Sequence, residues 1–206
     1  MHNTIVQHPI LTFGISLFTA ISAQAATVLV VDISNPAAVT FTSTPNFSQT
    51  NSSLNIGTAG FTIRNFLASP ASIPSSTLGL GNLSPTGSTF VYSGMATFSY
   101  EANDGNFTSA NDLSVFSNGG GPGAASQVFS TGTRAFNGVL TIDLSAYVSS
   151  LPAAGVTGDV ISGYFLSGTA DHGETVGQFV VIPEPGSVLL GGLGFLILGF
   201  RRRSIR

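Results

Sequence analysis

The sequence predicts an all-β fold, an antiparallel β-sandwich with a jelly roll as its nearest variant. Three observations carry that expectation. Apolar and polar residues alternate with a period of two over several short stretches. Gly, Pro, Asn and Ser separate those stretches at close intervals. No segment between residues 26 and 182 sustains a helical apolar stripe of ten residues or more.

The clearest strand runs from Thr89 to Tyr100, where Phe90, Tyr92, Ala96, Phe98 and Tyr100 share one face and Thr89, Ser93, Thr97 and Ser99 the other. Phe136, Leu140, Ile142 and Leu144 repeat the pattern against Thr141, Asp143 and Ser145, with Asn137-Gly138 marking a bulge or a turn. Thr27–Ile33, Phe61–Phe66, Val160–Leu166 and Val176–Ile182 are shorter candidates. The first and last of these alternate less cleanly, as strands covered on both faces do. Thr42–Thr58, Ser69–Gly87 and Ser117–Ser126 read as loops. No fixed-period repeat is present, which argues against a solenoid or propeller.

Both ends of the chain are apolar. Ile10–Ile21 followed by Ala23-Gln24-Ala25 has the form of a signal peptide cut after Ala25, the small residues fitting the peptidase pocket. At the other end, Pro183-Glu184-Pro185 precedes an apolar run from Ser187 to Phe200 and the cluster Arg201, Arg202, Arg203. As a helix, those about 14 residues reach about 21 Å, short of a hydrocarbon core of about 30 Å, so the segment inserts but anchors poorly. Four of the six basic residues of the chain fall in its last six positions, a bias that holds this end in the cytoplasm and leaves the body outside. The expected organisation is a signal helix over 1–25, a β-sandwich body over 26–182, and a sorting and anchor segment with a short transmembrane helix over 183–206.

That tail resembles the PEP-CTERM protein-sorting signal of certain Gram-negative bacteria. Pro183, Glu184 and Pro185 match its motif, and Arg201, Arg202 and Arg203 match its basic end. The resemblance implies recognition by an exosortase, a membrane-embedded cysteine peptidase, which removes the tail and passes the body to the envelope or exopolysaccharide matrix. The alternative for the same residues is an ordinary single-pass anchor.

Charge and composition exclude several functions for the body. Between Ala26 and Ile182 only Arg64 and Arg134 stand against eight acidic residues, so phosphate neutralisation, and with it nucleic-acid binding, is ruled out. The absence of cysteine rules out disulfides, thiolate metal sites and a cysteine nucleophile. Gly119-Gly120-Gly121-Pro122-Gly123 lacks the Lys-Ser/Thr of a phosphate loop, and no G-x-S-x-G elbow occurs. The four N-x-S/T sites at Asn46, Asn51, Asn82 and Asn106 are about as many as so much Asn, Ser and Thr produces by chance.

No catalytic residue is assigned. Glu101, Asp104 and Asp112, with Asn103 and Asn106, supply the oxygen donors calcium prefers, though not at the spacing of a D-x-D-x-D-G loop. Asp171-His172-Gly173-Glu174 gathers the one body histidine with two carboxylates in a turn, which reads first as a polar turn. The sequence thus favours a non-catalytic exported matrix or surface protein, with aromatics available to stack on polysaccharide. An extracellular, glycosidase-like hydrolase using Glu101, Asp104, Asp112, Asp171, His172 or Glu174 is the alternative.

Overall fold

A computed structural model describes residues 25–55, 60–88, 90–97, 111–117, 126–163 and 173–182. The signal segment, the tail from Pro183 onward, and Glu101, Asp104, Asp171 and His172 lie outside the described residues. The described chain is mostly strand: β1 (Thr27–Asp32), β2 (Val39–Ser43), β3 (Ser52–Asn55), β4 (Gly60–Ile63), β5 (Thr77–Leu78), β6 (Leu80–Pro85), β7 (Tyr92–Ala96), β8 (Leu113–Ser117), β9 (Ser126–Phe129), β10 (Phe136–Ile142), β11 (Thr157–Ser162) and β12 (Thr175–Ile182). Two short 3₁₀ turns, Pro36–Ala38 and Ser145–Ser150, are its helical elements. Among the described residues no helix is long and apolar enough to cross a membrane.

Ten of these strands form one sheet in the order β5-β7-β8-β4-β11-β12-β1-β2-β10-β6, while β3 and β9 pair separately. The two edge strands of that order, β5 and β6, are consecutive in the chain with only Gly79 between them. β5 pairs with β7 at one edge and β6 with β10 at the other. The stretch therefore steps across the seam and closes the sheet into a barrel-like form. Gly79 is needed at the step: a Cβ there would sit 2.6 Å from Leu140 Cδ1 and 2.8 Å from the Thr141 carbonyl oxygen. Asn82 ties the seam from the other side, its Oδ1 accepting the Tyr92 amide at 2.7 Å.

The expected two-sheet sandwich is thus replaced by a single rolled sheet with a small accessory ladder. Closure brings the two end strands of the ten-stranded sheet together, with the Gly79 amide donating to the Ser93 carbonyl at 2.8 Å across the seam. Pairing is antiparallel throughout except for β1 with β12, which run parallel in the middle of the sheet.

The core lies inside this wall. Phe41 stands 5.5 Å from Phe66, Phe66 5.9 Å from Phe179, and Phe61 4.5 Å from Phe136, in tilted and edge-on contacts that aromatic quadrupoles favour. Phe129 of β9 reaches Phe136 at 5.4 Å and so fastens the accessory ladder to the barrel. Burying side chains of this size contributes about 2 kcal/mol or more apiece, which a chain without disulfides depends on.

The candidates read from the sequence fall within a few residues of β1, β4, β10, β11 and β12, though β1 and β12 bury one face more than the other rather than both. Gly138, with φ of +92°, kinks β10 but leaves the register with β6 unbroken, so it marks neither a turn nor an inserted residue. The long strand expected from Thr89 is Tyr92–Ala96 in the described residues, and every residue of it is buried. Ser93, placed by alternation on the solvent face, is 5% exposed because the pairing slips between Tyr92 and Gly94 and disturbs the two-residue period. Two of the expected loops contain strands: β3 lies in the first, β5 and β6 in the second.

Candidate functional site

The sequence directs attention to the point where the tail leaves the barrel. β12 reads Thr-Val-Gly-Gln-Phe-Val-Val-Ile, and its inward residues Val176, Phe179 and Val181 are fully or almost fully buried. It is held on both sides, by β1 in parallel and by β11 antiparallel. The bonding persists to the last residues. The Val181 amide donates to the Val156 carbonyl at 2.8 Å, the Gly155 amide donates to the Val181 carbonyl at 2.8 Å, and Ile182 pairs with Asp32. Pro183 follows immediately and has no amide to continue the ladder.

The loops around this exit are themselves tied together. Asn35 caps the first 3₁₀ turn by accepting the Ala37 amide at 3.1 Å, and the Leu144 amide donates to the Pro36 carbonyl at 2.8 Å, joining that turn to the second. The opposite end of the barrel holds the start of β1, where the Gln178 amide donates to the Ala26 carbonyl at 2.9 Å. Because β1 and β12 are parallel neighbours, residue 26 and residue 182 sit at opposite ends of the wall. Four strand residues separate the Thr27–Gln178 pair from Ile182, about 13 Å along the strand.

Of the carboxylates considered for chemistry, the two among the described residues, Asp112 and Glu174, are not brought together. Asp112 is 2% exposed, and its Oδ1 accepts the Asn65 amide at 2.6 Å beside the end of β4. Glu174 is exposed at the opposite end, its amide donating to Ser162 Oγ at 3.0 Å and its carbonyl accepting the Ser162 amide at 2.9 Å. Asp112 is the member of the calcium set that falls among the described residues. No group of three His, Cys, Asp or Glu side chains among those residues could hold a metal ion.

Three of the four N-x-S/T asparagines have structural employment. Asn46 Nδ2 donates to the Thr27 carbonyl at 2.6 Å, Asn51 Oδ1 accepts the Thr131 amide at 3.1 Å, and Asn82 binds Tyr92 as described. Asn106 lies outside the described residues.

Comparison with protein families matches residues 181–203 to the PEP-CTERM protein-sorting motif. The tail is a PEP-CTERM sorting signal. The PEP-CTERM match begins at Val181, so its first two residues are the last two rungs of β12. Reading the motif from Pro183 missed them; the unbroken Val180-Val181-Ile182 run into proline was the available sign. PEP-CTERM signals mark exported proteins of Gram-negative bacteria and imply processing by an exosortase. No match was found among curated proteins or among solved structures.

Proposed function

We propose that the chain is the precursor of an exported, non-catalytic protein of the cell surface or extracellular matrix. In this reading signal peptidase cuts after Ala25, and the apolar run 187–200 inserts in the inner membrane with Arg201, Arg202 and Arg203 on the cytoplasmic side. An exosortase reading Pro183-Glu184-Pro185 then frees the barrel to the envelope or to exopolysaccharide. The observation that carries the reading is the seating of the PEP-CTERM motif at the end of a fully laddered strand. The hydrogen-bonded sheet thus runs into the first two residues of the processing signal. The non-catalytic part draws support from Asp112, whose oxygen is engaged in a turn, and from Glu174, which stands at the other end of the wall.

The test is replacement of Pro183, Glu184 and Pro185 by alanine in the producing cells, followed by fractionation and intact mass of the product. The variant is expected to accumulate unprocessed in the inner membrane; tail removal equal to that of the parent would refute the reading. Polysaccharide association is checked separately by retention of the mature protein on envelope and matrix glycans, and the absence of retention on all of them would remove that half.

A further inference from the structure

We infer that the ring of loops around the exit of β12 is the face the precursor turns to the lipid headgroups. The inference rests on the anchoring proposed above and adds an orientation to it. The argument is one of reach. Ile182 is bonded into the sheet, and Ser187 opens the apolar run five residues later. A fully extended chain spans at most about 3.6 Å per residue, so Ile182 stands no more than about 18 Å from the start of the inserted segment. The headgroup zone takes up about 5 to 8 Å of that distance, by the difference between total and hydrocarbon thickness. Ile182 therefore lies within about 13 Å of the headgroup zone, and the exit loops surround it. The far end of β12, Thr175, is seven residues, about 23 Å, further along the strand.

The surface of this rim suits such proximity. Ala37, Ala146, Ala153 and Ala154 are exposed there, and Val148 is 53% exposed. Its charges do not make it a lipid-binding patch in its own right. Asp32 and Asp143 lie at this end among the described residues, whereas attraction to anionic lipid needs clustered Lys and Arg. The tail supplies the tether and the rim supplies a close, small-featured contact.

The chain contains no cysteine, which makes single-site labelling direct. Full-length precursor carrying Ala153→Cys at the rim or Gln49→Cys at the opposite end, where the Gln49 amide donates to the Val176 carbonyl, is labelled with an environment-sensitive fluorophore. Each is reconstituted in phosphatidylethanolamine–phosphatidylglycerol vesicles containing a headgroup nitroxide quencher. Quenching several-fold stronger at residue 153 than at residue 49 is expected, and Ala37→Cys serves as a second rim position if Ala153→Cys does not fold. Equal or reversed quenching in protein that floats with the vesicles would overturn the orientation while leaving the anchoring intact. Protein that fails to float would overturn the anchoring, and the orientation with it.

Discussion

Asp112 holds the backbone of Asn65 in the left-handed region: its carboxylate oxygen lies 2.6 Å from the Asn65 amide, and Asn65 has φ of +51°. Asn65 is a non-glycine residue with positive φ, a conformation asparagine tolerates better than most. The turn it makes lets Phe66 fold back between Phe41 and Phe179.

Removing the acceptor is expected to be costly. Asp112→Ala leaves the Asn65 amide without the carboxylate, and a lost hydrogen bond to a charged group amounts to about 2 to 3 kcal/mol. Asp112→Asn, which keeps an oxygen at the same place, should lose about half as much. Urea unfolding of the two variants, compared at equal slope, checks the difference.

The β6–β10 pair contains two glycines that cannot carry a side chain. A Cβ on Gly138 would collide with the Asn82 carbonyl oxygen, and one on Gly81 with the Val139 carbonyl oxygen. Both residues also have positive φ. Gly138→Ala should therefore cost about 3 kcal/mol, adding backbone collision to left-handed strain. Gly87→Ala, with positive φ but nothing within 4 Å of the new methyl, should cost about 1 kcal/mol. Thermal unfolding of the pair separates the two contributions.

Tyr92 makes the fold sensitive to alkali. Burial pushes its phenol above the ordinary range, and the hydrogen bond with Ser88 opposes this only in part. With the folded-state value raised, the unfolded chain loses its proton first as pH climbs. Stability is therefore unaffected below the ordinary phenol value and falls as pH rises from there through the folded value. Tyr92→Phe should flatten that alkaline decline, measured as urea midpoints across the pH range, with tyrosinate absorbance reporting the ionisation.

The seam is expected to be weakened by a single amide. Asn82→Ala deletes the acceptor of the Tyr92 amide at the point where β6 meets β7, for a loss of about 1 to 2 kcal/mol. Hydrogen exchange should quicken first at Tyr92 and its neighbours, before β1 or β12 changes, because the break is local to the seam.

Strands that bury one face announce themselves by period, which is why Phe136, Leu140 and Ile142 located β10. β6 did not, since Leu-Gly-Asn-Leu-Ser-Pro has little strand propensity and forms because the barrel needs a closing element there. β3 and β9 were hidden for a related reason: both are short stretches rich in polar residues, tied to the barrel by Phe129 against Phe136 and by the Ser52–Ser162 hydroxyl contact. The sorting signal was legible because its chemistry is linear, a proline-bracketed glutamate before a greasy run and arginines. Its coupling to the fold was not, because the partners of Val181 and Ile182 come from a loop at 155–156 and from Asp32 near the other end of the chain. The carboxylate of Asp112 looked like a candidate ligand for want of any local sign that Asn65 would claim it.

The parallel pairing of β1 with β12 makes a complete polypeptide the condition for a complete wall. Until Thr175–Ile182 arrives, β1 and β11 each present a bare flank, and Leu29, Val31 and Val160 lose their cover. A chain threaded outward from its first residue would so remain unfinished, and open to proteases, until its final strand had crossed. Since that strand runs straight into the sorting signal, the element that completes the sheet is also the one that carries the signal.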